Sequence, residues 1–470
     1  MRKYGVVSLF SGAGGLDLGF IQTGKYKVIF ANELSKSAAK TYSANIGLKF
    51  AECSCNERAE AEKNTILACD VAKVDFSNLE AYEIDVIIGA PPCQDFSIAR
   101  GPDRERRGIE VRRGRLYAHF VRALVALQPK IFVFENVPGL ISANKRTAYK
   151  VILDDFMKLR IRWPEVRKVI SSTNNGGEIE GYEIVFTGIV DFSKLGVPQR
   201  RERLLIIGIR KDLIKKNAEM LCSIKEKLHF LLEGGNWLFH KYPLTSIEVF
   251  EGKPLNELNN EYKEVMKKWK DVWVEVSTNR AKLWKEKVWD KLTFDVIKDY
   301  LMVNSISTED CKEVEQALEQ HELLLRELGY YARPVNCLDL PDGTTDLPRG
   351  RRTVIERLRR IPPDENYKFV IGTPWEVEGK GISMIYRRLH PLKPSYTIAA
   401  NGGGGTHGYH YDRDRAMLTL RERARLQTFP DSFLFYGGKK DIRSQIGEAV
   451  PPLAAKRIAE ILADVLKFIM

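Results

Sequence analysis

A cysteine preceded by two prolines is the residue of this chain best suited to nucleophilic chemistry. Cys93 follows Pro91 and Pro92, and these follow the apolar run at residues 85–88, which is typical of a buried strand in a parallel sheet. The prolines stiffen the turn and present the thiol at the carboxyl end of that strand, where open α/β sheets place ligands and chemistry. A half-buried structural cysteine is the alternative, and for an isolated cysteine it is the more common one.

Three further apolar segments near the amino terminus lead into glycines or acids. Residues 6–10 predict a strand that runs into the glycine-rich segment 11–20, where backbone can approach a ligand beside the positive end of a helix. Residues 27–33 predict a second strand that ends in Glu33. An acidic residue roughly twenty positions after the glycines is placed to bind the two hydroxyls of a ribose. A third strand at 66–71 carries Asp70, which could accept a hydrogen bond from an adenine amino group. These features favour a nucleoside-containing cofactor, and a surface glutamate at a strand end is the alternative for Glu33.

A second set of polar residues is rich in arginine. Residues 131–134 predict a very apolar strand that ends in Glu135. Arg201 and Arg203 lie two positions apart, so on an extended backbone they share a face; an edge salt-bridge cluster is the alternative. The segment 100–115 carries seven arginines against three acidic residues. Beside a nucleophile it is interpreted either as a mobile basic lid that closes on phosphates or as a solvated loop.

The composition indicates a basic protein with a polyanionic partner. The chain of 470 residues is long enough for two or three domains, and its formal net charge of +12 makes nucleic acid the first candidate partner. Seven cysteines are few and odd in number, which argues against a disulfide framework and fits a reducing cytosol. Cys53-Ser54-Cys55 lacks a matching pair at zinc spacing, so no metal site is predicted. The amino-terminal segment fits neither a signal peptide nor a membrane span, and no membrane partner is expected.

The alternation of strands and helices stops after Lys211, which suggests where domain boundaries fall. Residues 1–211 are expected to form an α/β domain that is completed by a final apolar-periodic helix within 445–470. Residues 212–385 are charged and tryptophan-rich and are interpreted as a second, smaller domain, and residues 386–444 link it back to the first. Arginines between 349 and 360 could read guanines or grip phosphate. A helix with a solvated basic face is equally consistent with them.

Taken in order, the motifs of the chain resemble those of the DNA (cytosine-5) methyltransferase family, bacterial restriction–modification type. Residues 10–15 resemble the family's cofactor loop, 91–94 its nucleophile block and 135–137 its acid block, and two later blocks match at 199–203 and 421–427. The resemblance covers residues 1–210 and 386–470. It implies an α/β fold, a doubly wound, Rossmann-like sheet of S-adenosylmethionine-dependent methyltransferases, with a second, smaller target-recognition domain at 212–385.

The resemblance also implies roles for individual residues. The catalytic residues would be Cys93, Glu135, Arg201 and Arg203. The residues at S-adenosylmethionine would be Phe10, Gly12, Ala13, Gly14, Gly15, Glu33, Asp70, Val71, Pro92, Glu448 and Val450. DNA contacts would come from Gln94, Ser97, Arg100, Arg104, Arg106, Arg107 and Gln199. Glu448 stands where the family usually has an asparagine; its carboxylate can accept a hydrogen bond but cannot donate one.

The family's chemistry implies sequence-specific methylation of cytosine C5 in double-stranded DNA, with S-adenosylmethionine as methyl donor. The Cys93 thiolate would add to C6 of a flipped-out base, and Glu135 would hold a proton at N3. Arg201 would bind the cytosine O2, and Arg203 would support the cysteine loop or Glu135. A cognate restriction endonuclease would be a functional, not a physical, partner, and the cytoplasm is the expected location. An RNA (tRNA) cytosine-5 methyltransferase and a catalytically silent DNA-binding protein are the alternatives.

Overall fold

Apolar segments in the amino-terminal half of the chain form the strands of a central sheet. The computed structural model describes residues 2–470 except 54–57, 93–115, 160–179, 215–217, 236, 308–309, 378–384 and 401–407. In the described part of the chain the strands are β1 (Tyr4–Leu9), β2 (Tyr26–Glu33), β3 (Lys49–Glu52), β4 (Ala59–Glu60), β5 (Thr65–Ala68), β6 (Val74–Asp75), β7 (Val86–Gly89), β8 (Ile131–Asn136), β9 (Tyr182–Asp191) and β10 (Glu202–Arg210).

The sheet is wound in both directions from its centre. Its strand order is β3-β5-β2-β1-β7-β8-β10-β9, and β4 and β6 form a separate parallel pair. The strands from β3 to β8 in this order are all parallel, whereas β10 is antiparallel to both β8 and β9. The apolar residues of β1, β7 and β8 are fully buried, as expected for strands covered on both faces. The predicted doubly wound α/β sheet is confirmed.

Helices connect these strands and build most of the remaining chain, because parallel neighbours require crossover connections. In chain order the helices of the described residues are α1 (Gly15–Gln22), α2 (Lys36–Ile46), α3 (Tyr117–Leu127), α4 (Gly139–Ser142), α5 (Thr147–Lys158), α6 (Ala218–Leu232), α7 (Ser246–Glu251), α8 (Asn259–Lys267), α9 (Val272–Val276), α10 (Asn279–Lys287), α11 (Val296–Val303), α12 (Cys311–Glu327), α13 (Arg352–Leu358), α14 (Leu420–Leu426), α15 (Lys439–Glu448) and α16 (Pro452–Ile469).

The chain divides into two units. The first unit comprises Met1–Phe192, Glu202–Asn236 and Ala449–Met470, and the second comprises Ser193–Arg201 and Trp237–Glu448. This division differs from the expected boundaries at 211, 385 and 444. The helix α6 stays with the first unit because Lys225 pairs with Glu183 of β9 at 2.7 Å.

The segment expected to link the two domains is instead part of the second unit. Arg388 is buried, and its guanidinium donates to the backbone carbonyls of Leu358 and Ile361. The same guanidinium lies 4.8 Å from the ring centroid of Trp269. Residues 386–444 therefore pack with the helices that precede them. The pattern of strands and helices in the sequence does not predict this contact.

The last helix returns to the first helix, as its apolar periodicity suggested. A Cβ added at Gly19 of α1 would lie 2.4 Å from the Ala455 Cβ and 2.3 Å from the Pro452 carbonyl oxygen. Only glycine therefore allows α1 and α16 to approach so closely. The Tyr26 hydroxyl of β2 also donates to the Ala459 carbonyl at 2.9 Å, which ties α16 to the sheet.

One pair of cysteines was not predicted. Cys53 follows β3 and Cys69 follows β5, and a disulfide joins them across a Cα–Cα distance of 5.4 Å. The two strands are parallel neighbours, so their ends meet although the cysteines are 16 positions apart in the sequence. The pairing removes Cys53 from any metal site, and Cys55 lies outside the described residues.

No helix among the described residues is both long and apolar enough to span a membrane.

A buried carboxyl group fastens the first helix to its neighbours. Asp17 is fully buried in α1. Its Oδ2 accepts a hydrogen bond from the Ser8 hydroxyl of β1 at 3.0 Å, and its Oδ1 accepts one from the Tyr42 hydroxyl of α2 at 2.8 Å. Burial raises the pKa of Asp17 to about 6, although both hydrogen bonds act in the opposite direction. Three elements around the glycine-rich segment are therefore joined through one carboxyl group.

The titration of Asp17 predicts a pH-dependent stability of the first unit. Because the pKa is raised on folding, the folded protein retains a proton between about pH 4 and pH 6 that the unfolded chain releases. The stabilisation is present below this window and is lost as pH rises through it. Relative to Asp17→Asn, wild type should lose roughly 3 kcal/mol between pH 4 and pH 7. Denaturant unfolding across this range measures the difference. Asp464→Asn, at a partly exposed aspartate of the same unit, is the control, and a pH-independent difference for Asp17→Asn would contradict the prediction.

Candidate functional site

The carboxyl ends of four neighbouring parallel strands form one edge of the sheet in the first unit. Leu9 at the end of β1 pairs with Asn32 of β2 and with Gly89 of β7, and Gly89 pairs with Phe134 of β8. The segments that follow these residues therefore leave the sheet at the same edge. These segments hold the predicted cofactor loop, Glu33, the Pro91-Pro92 turn and Glu135. Ligands bind at this edge in open α/β sheets.

The glycine-rich segment and Glu33 are in direct contact. The Glu33 carboxylate accepts the Gly12 backbone N–H at 2.9 Å through Oε2 and the Ser35 backbone N–H at 2.8 Å through Oε1. Gly12 has a φ of 56°, and no atom lies within 4 Å of the position a Cβ would take there. Gly14 caps α1 with a φ of 94°. The loop thus presents open backbone at the amino end of a helix, beside the Glu33 carboxylate.

The other predicted cofactor residues lie on or next to this framework. Phe10 has a φ of 55° at the end of β1, and Ala13 is buried. Asp70 caps a short turn after β5 by accepting the Ala72 N–H at 3.0 Å. Val71, next in the chain, is buried, as are Gly15 of α1 and Val450 just before α16.

The turn before the predicted nucleophile is held against the end of β8. The Asn136 side-chain amide donates to the Pro91 carbonyl at 3.3 Å. Pro91 is buried, and Pro92 is exposed. The next residue in the chain is Cys93, which lies outside the described residues, as do the predicted DNA contacts Gln94, Ser97, Arg100, Arg104, Arg106 and Arg107.

The antiparallel pairing of β8 and β10 brings the predicted acid and one arginine together. Leu205 lies directly opposite Glu135, so Arg203, two residues along β10, projects from the same face. The Arg203 Nε is 2.9 Å from Glu135 Oε1, and the two side chains are 14% and 9% exposed. Such a charge-assisted contact away from water fixes the direction of the carboxylate.

Arg201 does not share this position. The strand β10 begins at Glu202, so the alternation that predicted a shared face does not extend to Arg201, which belongs to the second unit. Its side chain is buried, and its Nη1 and Nη2 donate to the carbonyl oxygens of Ile398 at 3.3 Å and Gly447 at 3.0 Å. These contacts fix the Arg201 side chain against the backbone of the second unit, and its contact with the cytosine O2 stays a prediction.

Two other predicted residues of the second unit also have partners within it. Glu448 ends α15, and its carboxylate accepts the Ser444 hydroxyl at 3.1 Å. Gln199 is fully buried. Its Nε2 donates to the Gln427 side-chain oxygen at 3.0 Å, and its Oε1 accepts the Ile398 N–H at 2.8 Å. Both ends of the Gln199 amide are thus used inside the protein, and its contact with DNA stays a prediction.

Sequence reasoning did not single out Asn136 or Asp17 as parts of the site. Asn136 follows Glu135 at the end of a buried strand. A polar residue at that position could have been predicted to belong to the site. Asp17 is an acid within the apolar run of α1, and an ionisable residue on a buried helix face needs partners. Neither signal identifies the partners Pro91, Ser8 and Tyr42, which come from other segments.

Known proteins resemble this chain over nearly its whole length. A sequence model described as C-5 cytosine-specific DNA methylase matches residues 4–463. The DNA (cytosine-5-)-methyltransferase M.ApeKI of Aeropyrum pernix is 66% identical over 466 residues, which are 99% of each chain. The type II methyltransferase M.NgoFVII of Neisseria gonorrhoeae is 32% identical over 98% of this chain and 88% of its own.

The fold has a counterpart among solved structures. The crystal structure of a candidate DNA modification methyltransferase encoded within an E. coli prophage has a TM-score of 0.53, covers 99% of this chain and 100% of its own, and is 21% identical. At that identity the likeness concerns the fold alone. On the family match and the two curated relatives together, this chain belongs to the C-5 cytosine-specific DNA methylase family.

Proposed function

We propose that this protein methylates C5 of a cytosine within a specific sequence of double-stranded DNA, as the protective methylase of a restriction–modification system. The observation that carries the proposal is the ion pair between the buried Glu135 and the half-buried Arg203, at the strand end next to the turn that leads to Cys93. A cognate endonuclease would share the target sequence without binding this chain. The proposed location is the cytoplasm, where bacterial DNA is accessible.

The glycine-rich edge of the first unit fits S-adenosylmethionine. Gly12 leaves open backbone, and Glu33 stands beside it with a carboxylate able to accept the hydroxyls of a ribose. Asp70 and Val71 follow the adjacent strand β5 and are placed to meet an adenine. When bound, this cofactor would supply the methyl group as an electrophilic sulfonium.

The residues of the chain would activate the base. The Cys93 sulfur forms a bond to C6 of the cytosine, which breaks the aromaticity of the ring and makes C5 nucleophilic. Glu135 holds a proton at N3 and so stabilises the charge that develops on the ring, while Arg203 keeps its carboxyl group in position. Once C5 carries the methyl group, loss of the C5 proton restores the C5–C6 double bond and releases the Cys93 thiolate.

The base must leave the helical stack to reach these groups, at a cost of a few kcal/mol. We assign the arginines at 100, 104, 106 and 107, with Gln94 and Ser97, to contacts with the opened duplex. The positive charge of this segment suits phosphate neutralisation, and such contacts weaken as salt concentration rises.

Cys93→Ala tests the proposed nucleophile. The variant should lose methyl transfer completely, because the substituted side chain cannot add to C6, and it should keep wild-type affinity for duplex DNA. Transfer of a labelled methyl group and an electrophoretic mobility shift measure the two properties. A soluble, folded variant that retains transfer, or that loses transfer only together with DNA binding, would remove Cys93 from this role.

Arg203→Met tests the positioning of Glu135. Without the guanidinium the carboxyl group loses its fixed direction, so kcat should fall about 100-fold while the KM for DNA changes little. Arg203→Lys should retain part of the rate, because a lysine supplies charge without the planar fork. Arg210→Met, at the other end of β10, is the matched control. Equal losses of kcat at both positions would point to damage of the strand and contradict the proposal.

Glu33→Ala tests the cofactor site. The change removes the acceptor of the Gly12 N–H and of the expected ribose hydroxyls, so affinity for S-adenosylmethionine should fall about 10- to 100-fold. Isothermal titration calorimetry without DNA measures it directly. Glu52→Ala, at the end of β3, which is separated from β2 by β5, should bind the cofactor normally. Unchanged affinity in Glu33→Ala would exclude this glutamate from the site.

A further inference from the structure

The helix α14 carries three buried arginines, and two of them are fully partnered. Arg421 lies 3.0 Å from the carboxylate of Asp342, and Arg425 lies 2.6 Å from that of Asp431. Both guanidiniums also donate to backbone carbonyls. These two arginines of α14 are therefore satisfied by a carboxylate and backbone oxygens, whereas the buried Arg201 and Arg388 of the same unit are satisfied by backbone carbonyls.

The third arginine of α14 lacks such partners. Arg423 is 3% exposed. Its Nη1 is buried and has no hydrogen-bond partner within the described residues, and no carboxylate there forms an ion pair with it. Native structures rarely leave a buried polar group unsatisfied, and a missing ion is one recognised reason.

Arg423 lines a cavity of about 40 Å³ together with two further cations, Arg443 and Lys439. The one acid on its wall is Asp346, which is paired with Lys439 at 2.9 Å. Burial and then the nearby charge of Arg443 lower the pKa of Arg423 to about 10.

We propose that this cavity is a binding site for a single phosphate group, held by Arg423 and Arg443. The geometry suits this ligand class because guanidinium groups form forked hydrogen bonds to tetrahedral oxyanions. The cations Arg423, Arg443 and Lys439 line the cavity, which suits one anionic group. Bound phosphate would supply the missing acceptors for the Arg423 Nη1 and neutralise the repulsion between the arginines.

The rim of the cavity indicates one source of the phosphate. Pro348 lines the cavity, and Arg349, Arg351 and Arg352, which follow it directly, are exposed. This is the arginine-rich stretch that the sequence suggested for phosphate or guanine contacts. The DNA backbone is a source consistent with this positive rim, and free inorganic phosphate is the other source of the same chemistry.

The first arm of the test uses inorganic phosphate alone. The Tm of wild type should rise with phosphate at constant ionic strength and reach a plateau, because binding to the folded state is saturable. Arg423→Met should show no plateau, and in phosphate-free buffer its Tm should equal or exceed that of wild type, because an unpaired buried charge is gone. Arg443 lies half-buried at the rim of the cavity. Arg443→Met should therefore weaken the rise of Tm with phosphate without disturbing the packing of the buried residues. Arg326→Met, an exposed arginine on α12, should behave as wild type.

The second arm measures DNA affinity against salt concentration with a fluorescent duplex. If the phosphate comes from DNA, Arg423→Met should lower the magnitude of the slope of log K for DNA binding against log salt concentration by about one. Arg326→Met should leave this slope unchanged. This arm rests on the proposed function, whereas the inorganic phosphate arm does not, so the two can fail separately. A response in either arm supports the site and identifies its source. No saturable phosphate response and no change in slope would overturn the proposal.

Discussion

The parallel pairing of β2, β1, β7 and β8 is the constraint on which the candidate site depends. It brings Glu33, the Pro91-Pro92 turn and Glu135, which are far apart in the sequence, to one edge of the sheet. The antiparallel strand β10 then adds Arg203 on the same face as Glu135. A slip of one residue in that last pairing would turn Arg203 to the opposite face and leave the carboxylate without its cation.

Burial of charge organises both units around this frame. Asp17 and Glu135 each lie away from water with defined partners, and so do Arg421 and Arg425. In a medium of low dielectric such groups hold one orientation, because breaking a contact leaves a charge unsolvated. The same rule applies to Arg423, whose Nη1 is buried without a hydrogen-bond partner among the described residues.

Sequence reasoning predicted the features that depend on local patterns. Apolar runs gave the positions of β1, β2, β7, β8 and β10, and Glu33 lies beside the glycine loop as its spacing suggested. Arg203 was expected to support the cysteine loop or Glu135, and it pairs with Glu135. The start of β10 one residue after Arg201 was not predicted, because the expected alternation included both arginines. The burial of Gln199 and the Cys53–Cys69 disulfide also escaped prediction, since each is set by segments that meet only in the folded chain.

The most direct test of the central claim is the methylation pattern that the protein leaves in living cells. The chain would be expressed in a host without cytosine methylation, and the genome of that host would be sequenced after bisulfite treatment. The account predicts that cytosines at one position of a single short motif become fully protected as 5-methylcytosine. A genome without protected cytosines, with the protein shown to be soluble and folded in the same cells, would contradict it.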